Sequence, residues 1–236
     1  MDFSIPDQTR SFIDRLAAFM DTHVFPLEEA AQGKGFRDML PALSTVRERA
    51  KEAGFWCPQI PQRYGGVGLG FLDYALVCEQ LARCPYGNYA VNAQAPDAGN
   101  MEILIEFGTE AQQQEWLDPL LAGKIRSCFS MTEPDRPGSN PVWMDTTAVR
   151  DGNEYVINGR KWWASGAGDP RCQVFIFMGK TDPDAARHKQ QSMIVVPRHT
   201  PGVHVQRTLK VFGYDHAPHG HAEIDFQDVR VPATHI

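Results

Sequence analysis

The hydrophobic period of this chain changes once, and that single change requires two halves built on different principles. Over residues 7–121 apolar side chains recur three and four positions apart, the spacing of a helical face. Phe12, Leu16 and Phe19 mark the first such face, over residues 7–23, and Pro26 is expected to end it. Leu43, Val46, Ala50 and Ala53 mark a second over 37–53, with Gly54 placed to close it in the left-handed region. Residues 72–83 form a third through Tyr74, Val77, Cys78 and Leu81, and 96–107 a fourth. Thr109 is expected to cap a fifth, 110–121, with Glu110 in its first turn. After Ser127 the period falls to two. Val203 and Val205 alternate with His204 and Gln206, and Ala222, Ile224 and Phe226 alternate with His221, Glu223 and Asp225. Residues 174–178 and 193–196 are continuous apolar runs of strand length, and 155–157 lead into Asn158-Gly159, which reads as a hairpin turn. The predicted fold class is α+β: an all-α segment over residues 1–124, then a small antiparallel barrel or sandwich over 125–236.

With 236 residues, 42% of them apolar and 22% charged, the chain can bury the core of each half. A net charge of -6 and the lack of a basic stripe argue against nucleic acid as a partner. Cys57, Cys78, Cys84, Cys128 and Cys172 form no C-x-x-C pair and read as mostly buried thiols of a reducing compartment. The first residues lack the pattern of a secretory leader, and no apolar run reaches the length of about 18 that a membrane span needs. A cytoplasmic location is expected, with an organelle matrix as the alternative. The glycines at 65, 66, 68 and 70 do not follow the G-x-G-x-x-G order of a dinucleotide loop, so tight packing is their expected role.

Chemistry concentrates in residues 127–168. Ser130-Met131-Thr132-Glu133-Pro134 is followed, after a polar loop holding Gly138, Ser139 and Asn140, by Asn158-Gly159-Arg160-Lys161-Trp162-Trp163-Ala164-Ser165-Gly166. Thr132 offers a hydroxyl and a backbone N–H. Trp163 offers an apolar face, and Ser165, two residues on, points to the same side of a regular strand. One strand thereby supplies a wall and a donor, while Trp162 is expected to face the opposite way, into the β core.

The paired motifs resemble the flavin-binding signature of the acyl-CoA dehydrogenase family, and the likeness runs nearly end to end. The loop Pro61-Gln62-Arg63-Tyr64-Gly65-Gly66-Val67-Gly68-Leu69 is similar to that family's "P-E-x-Y-G-G-x-G-L", and Asp228-Val229-Arg230-Val231-Pro232 to its "D-V-x-V-P". The resemblance implies FAD as cofactor, with Phe129, Met131 and Thr132 on the pyrimidine and N5 side of the ring and Trp163 and Ser165 on its other edge. It places Ser139 near the pantetheine arm of an acyl-CoA. It also implies α,β-desaturation of a medium- or long-chain acyl-CoA, an electron-transfer flavoprotein or similar acceptor, and a homodimer or homotetramer. In the family Glu133 is structural, not the base.

Two departures stand out. The loop Thr132-Glu133-Pro134-Asp135-Arg136-Pro137-Gly138-Ser139-Asn140 is one residue longer than the usual T-E-P-G-x-G-S-D, which bears on the register of Ser139. The form Lys161-Trp162-Trp163-Ala164-Ser165-Gly166-Ala167, with Arg187-His188-Lys189-Gln190 and Val211-Phe212-Gly213-Tyr214, resembles the branch whose animal members carry a phosphotransferase-like domain. The family's C-terminal four-helix domain and its carboxylate base are expected beyond Ile236. A fragment, inactive alone and binding FAD weakly or not at all, is therefore expected, with a degenerate short form as the alternative and no catalytic residue in this chain. An acyl-CoA oxidase or monooxygenase of the same fold and a flavin-free acyl-CoA binding module are the alternatives. His216, His219 and His221 match no common zinc spacing, so no metal is expected, and Arg187-His188-Lys189 reads as a solvated loop.

Overall fold

A computed structural model describes residues 4–215 and 220–236. By packing, the chain divides into two compact units between Ala98 and Gly99, whereas helix gives way to strand between Leu121 and Arg126.

The first unit is helical. Helix α1 (Asp7–Phe19) continues through a π turn (Met20–Val24) into α2 (Pro26–Ala30). Pro26 thus opens a new turn, where its missing N–H breaks no bond, and does not stop the helical path as the sequence suggested. Helix α3 (Phe36–Glu52) ends at Ala53, with Gly54 at φ +77°, and α4 (Phe71–Leu81) and α5 (Gly87–Ala90) complete the layer. Phe12, Leu16, Phe19, Leu43, Val46 and Leu81 are buried together, as the three-four spacing required. Among them sits a buried cation. The Arg47 guanidinium lies 4.6 Å from the Trp56 ring centroid and 4.5 Å from that of Tyr89, and it donates to the Tyr89 carbonyl at 2.7 Å and to Asn92 Oδ1 at 3.2 Å. In the glycine-rich loop a Cβ on Gly66 would sit 2.1 Å from the Ile60 carbonyl oxygen, so that glycine serves close packing.

The second unit begins inside α6 (Asp97–Phe107). Thr109 caps the next turn in a reciprocal box: its hydroxyl accepts from Gln112 N at 3.3 Å, and Gln112 Oε1 accepts from Thr109 N at 2.8 Å. The helical path then runs through α7 (Glu110–Gln112), a π turn and α8 (Asp118–Leu121). Among the described residues seven strands follow: β1 (Arg126–Ser130), β2 (Thr147–Asp151), β3 (Glu154–Ser165), β4 (Cys172–Lys180), β5 (Gln191–Pro197), β6 (Val203–Leu209) and β7 (His221–Pro232). They form one curled sheet in the order β1-β4-β2-β3-β7-β6, with β5 also on β4. The pairs β2–β3, β3–β7, β4–β5 and β6–β7 are antiparallel as expected, while β1 lies parallel to β4. Phe175, Phe177 and Phe226 fill the core beside Ala222 and Ile224.

Asn158-Gly159 is not a turn. Strand β3 runs straight through it, and the β2–β3 hairpin turns at Gly152 and Asn153. Gly159 is needed for another reason. It sits at a break in the β3–β7 register with φ +137°, and a Cβ there would lie 2.2 Å from Thr146 Cγ2. Gly159→Ala should therefore cost about 1–3 kcal/mol by overpacking. Urea denaturation of the variant measures this, and recovery of part of the loss in Gly159→Ala/Thr146→Ser would assign it to that contact.

Candidate flavin site

Strand β1 delivers Phe129 half-buried between the buried Cys128 and Ser130, then the chain leaves the sheet as Met131-Thr132-Glu133. Three bonds hold this loop against β3. Trp162 N–H donates to the Thr132 carbonyl at 2.9 Å, and Lys161 Nζ donates to the Met131 carbonyl at 2.7 Å and to Glu133 Oε1 at 3.0 Å. Lys161 is fully buried and Glu133 nearly so, and the ammonium also lies 5.2 Å from the Phe177 ring centroid. Glu133 accepts in addition from Asp145 N at 2.7 Å, Thr146 N at 3.0 Å and Thr146 Oγ1 at 2.7 Å. Burial works to raise the Glu133 pKa, but the Thr146 hydroxyl, the two N–H groups and Lys161 together hold it below the ordinary value. Burial pulls the Lys161 ammonium down to about 8, with Glu133 opposing.

The Thr132 side chain is half-buried, and its backbone N–H has no hydrogen-bond partner among the described residues. Gly138 packs on it so closely that a Cβ would lie 2.8 Å from Thr132 Cγ2. Ser139 follows in the same turn and is exposed.

Trp162 and Trp163 do not face opposite sides as strand alternation predicted. A bulge separates the pairs Lys161↔Ile224 and Ala164↔Ala222, so one extra residue on β3 is accommodated with Trp163 at φ +51°. The two indoles lie side by side, centroids 6.1 Å apart, and the core receives Lys161 and Ala164 instead of Trp162. Trp163 keeps 40% of its surface exposed. Trp162 is half-buried, with its Nε1–H enclosed and without a hydrogen-bond partner among the described residues.

Ser165 is paired with His221 across the ladder. Its Oγ lies 2.8 Å from His221 Nδ1, whose ring is also 5.9 Å from that of Trp163. The structure thus gathers Met131, Thr132 and the Ser139 turn on one side, and Trp163, Ser165 and His221 along β3 and β7. Sequence reasoning missed the Lys161–Glu133 lock and the place of His221 beside Ser165. The available signal was a Lys and a Glu, one in each half of the paired motif. His216 and His219 lie outside the described residues. Among the described residues no three His, Cys, Asp or Glu side chains are arranged for a metal, Arg187-His188-Lys189 is an exposed turn, and no helix is long and apolar enough to cross a membrane.

These residues suit an isoalloxazine ring: an unpaired N–H on Thr132, an exposed indole face on Trp163 and a hydroxyl on Ser165. A helical unit leading into a curled sheet that presents such a cradle defines a class of protein, and comparison of the chain with known families agrees. Residues 6–124 match the acyl-CoA dehydrogenase N-terminal domain, and residues 128–229 match the acyl-CoA dehydrogenase middle domain.

The chain belongs to the acyl-CoA dehydrogenase family. It is similar to probable acyl-CoA dehydrogenase FadE2 of Mycobacterium tuberculosis, 46% identical over all of this chain and 59% of that protein. It is also similar to acyl-CoA dehydrogenase family member 11 of Gallus gallus, 47% identical over 94% of this chain and 30% of the relative. A solved structure from Mycobacterium abscessus superposes with a TM-score of 0.92 at 40% identity, covering 99% of this chain and 60% of that one. A glutaryl-CoA dehydrogenase from Mycobacterium smegmatis in complex with FADH2 superposes at 0.68 with 26% identity, covering 98% and 55%. The chain thus spans less than two thirds of the length of these relatives.

Proposed function

We propose that residues 127–168, with His221, form the flavin grip of an FAD-dependent acyl-CoA dehydrogenase acting on a medium- or long-chain acyl-CoA. The observation that carries the reading is the bond from Trp162 N–H to the Thr132 carbonyl, which sets the loop bearing an unpaired N–H alongside the exposed face of Trp163. That a similar protein is solved with FADH2 supports it. FAD, when bound, would supply the acceptor for a hydride from the acyl β carbon.

The chain's own residues would bind and orient. Trp163 gives the ring an apolar wall, Thr132 and Ser165 give it donors, and Phe129 and Met131 line the side next to Thr132. Ser139, exposed on the turn that packs against Thr132, is the residue proposed to meet the acyl-CoA arm. Glu133 is bound by four donors and held ionised, so it is a structural anchor and not the base that takes the α proton. An acyl-CoA substrate, an electron-transfer flavoprotein or similar acceptor, and self-association complete the proposal.

Titration of the protein with FAD, followed by flavin absorbance and fluorescence, tests it. Trp163→Ala should weaken FAD binding about tenfold, a loss of about 1.4 kcal/mol. FAD affinity equal to wild type in that variant would remove Trp163 from the site. In a version extended by the family's C-terminal helical domain, flavin reduction by acyl-CoA without oxygen uptake supports a dehydrogenase, and sustained oxygen uptake an oxidase.

A further inference from the structure

The peptide group joining Met131 to Thr132 has two ends in unlike surroundings. Its carbonyl accepts from the buried Lys161 ammonium at 2.7 Å, while its N–H has no hydrogen-bond partner among the described residues. An amide whose oxygen is held by a cation is polarised, and its N–H becomes a stronger donor. The neighbouring bond from Trp162 N–H to the Thr132 carbonyl fixes the next peptide, so the direction of the Thr132 N–H is set from both sides.

We propose that Lys161 is a positioning residue: acting through the Met131 carbonyl, it fixes and polarises the Thr132 N–H as the donor to an acceptor atom of the bound flavin ring, with Glu133 holding the ammonium in place. This rests on the flavin reading above. A fixed donor aimed at a ring that gains electron density contributes more in a water-poor site than in solution. Glu133 alone would not require a cation, since its three other donors already satisfy it. The bond to the Met131 carbonyl is what Lys161 adds.

Among the described residues Lys161 is ion-paired with Glu133. Glu133 meets it from the loop, and the exposed Arg136–Asp145 pair lies behind Glu133. On β3, Arg160 is turned to Glu223 and Asp225, and β4 presents the Phe177 ring. Because burial brings the ammonium down to about 8, its proton can be removed under mild conditions.

The test is a nuclear magnetic resonance titration of the isotopically labelled 236-residue protein without flavin, raising the pH through about 8. The Met131 carbonyl carbon and the Thr132 amide should shift together with one midpoint, that of Lys161. Glu133→Gln should lower that midpoint by removing the anion, and Lys161→Met should abolish the titration. In the wild type, FAD affinity should fall roughly three- to tenfold across the same midpoint, about the worth of one hydrogen bond. A Thr132 amide that stays fixed while Lys161 titrates overturns the proposal, and the wild-type measurement decides this even if the variants fail to fold. An FAD affinity that ignores a titrating Thr132 amide also overturns it. Titrating shifts with no FAD binding at any pH, in the 236-residue protein and in a version extended by the family's C-terminal helical domain, would instead overturn the flavin reading and leave the polarised N–H standing.

Discussion

Glu133→Ala is expected to cost about 3–5 kcal/mol of stability, because removing one partner of a buried pair leaves the other charge uncompensated. Lys161 is fully buried, so its ammonium would keep the Met131 carbonyl and the Phe177 ring but no anion, and the N–H groups of Asp145 and Thr146 would lose their acceptor as well. Glu133→Gln keeps an acceptor oxygen and should cost less, about 1–3 kcal/mol. Urea unfolding of the three proteins gives the comparison, and a loss below about 1 kcal/mol in Glu133→Ala would show that the pair is not a lock. The pH dependence follows from the signs. A carboxylate whose folded pKa is lowered gives stability that is present above the ordinary glutamate value and is lost as pH falls through the folded one. Lys161 acts in the same direction at higher pH. Its folded value of about 8 lies below the unfolded 10.5, so between them the unfolded chain holds more protons and stability rises with pH.

The second large effect is expected at Arg47→Met, about 3 kcal/mol. Methionine fills much of the volume between Trp56 and Tyr89, so packing is largely kept. What goes is a desolvated cation–π contact with each ring, worth about 1–2 kcal/mol, and the charge-assisted bonds to the Tyr89 carbonyl and Asn92. Thermal unfolding followed by tryptophan fluorescence checks it. Arg47→Lys should recover little, since a point charge cannot lie flat against two rings and donate in two directions. Full stability in Arg47→Lys would show that charge alone suffices.

Much of the fold was legible because burial imposes its period directly. The three-four spacing of Phe12, Leu16 and Phe19 and the alternation of Ala222, Ile224 and Phe226 each name a buried face. Thr109 was legible as a cap because its hydroxyl acts within three residues. The misreadings came where a local signal met a tertiary demand. Pro26 carries a stop signal, but the preceding π turn lets it begin a new turn. Asn158-Gly159 carries a hairpin signal, yet the glycine answers to Thr146, a contact across the fold that no local pattern announces. The Lys161–Glu133 pair spans 28 residues and the Ser165–His221 pair 56, and nothing in either short motif identifies its partner.

The bulge at the tryptophan pair also bears on how chains of this kind are compared by eye. From Lys161 to Ala164 strand β3 takes three steps, while β7 takes two between Ile224 and Ala222. A comparison lined up on alternation alone would therefore slip by one residue beyond Trp163, assign Ser165 to the wrong side and report a gap where the chain has none. The dependable landmarks are the two core residues that bracket the irregularity, Lys161 before it and Ala164 after it, with the tryptophans counted as the contents of the interval between them.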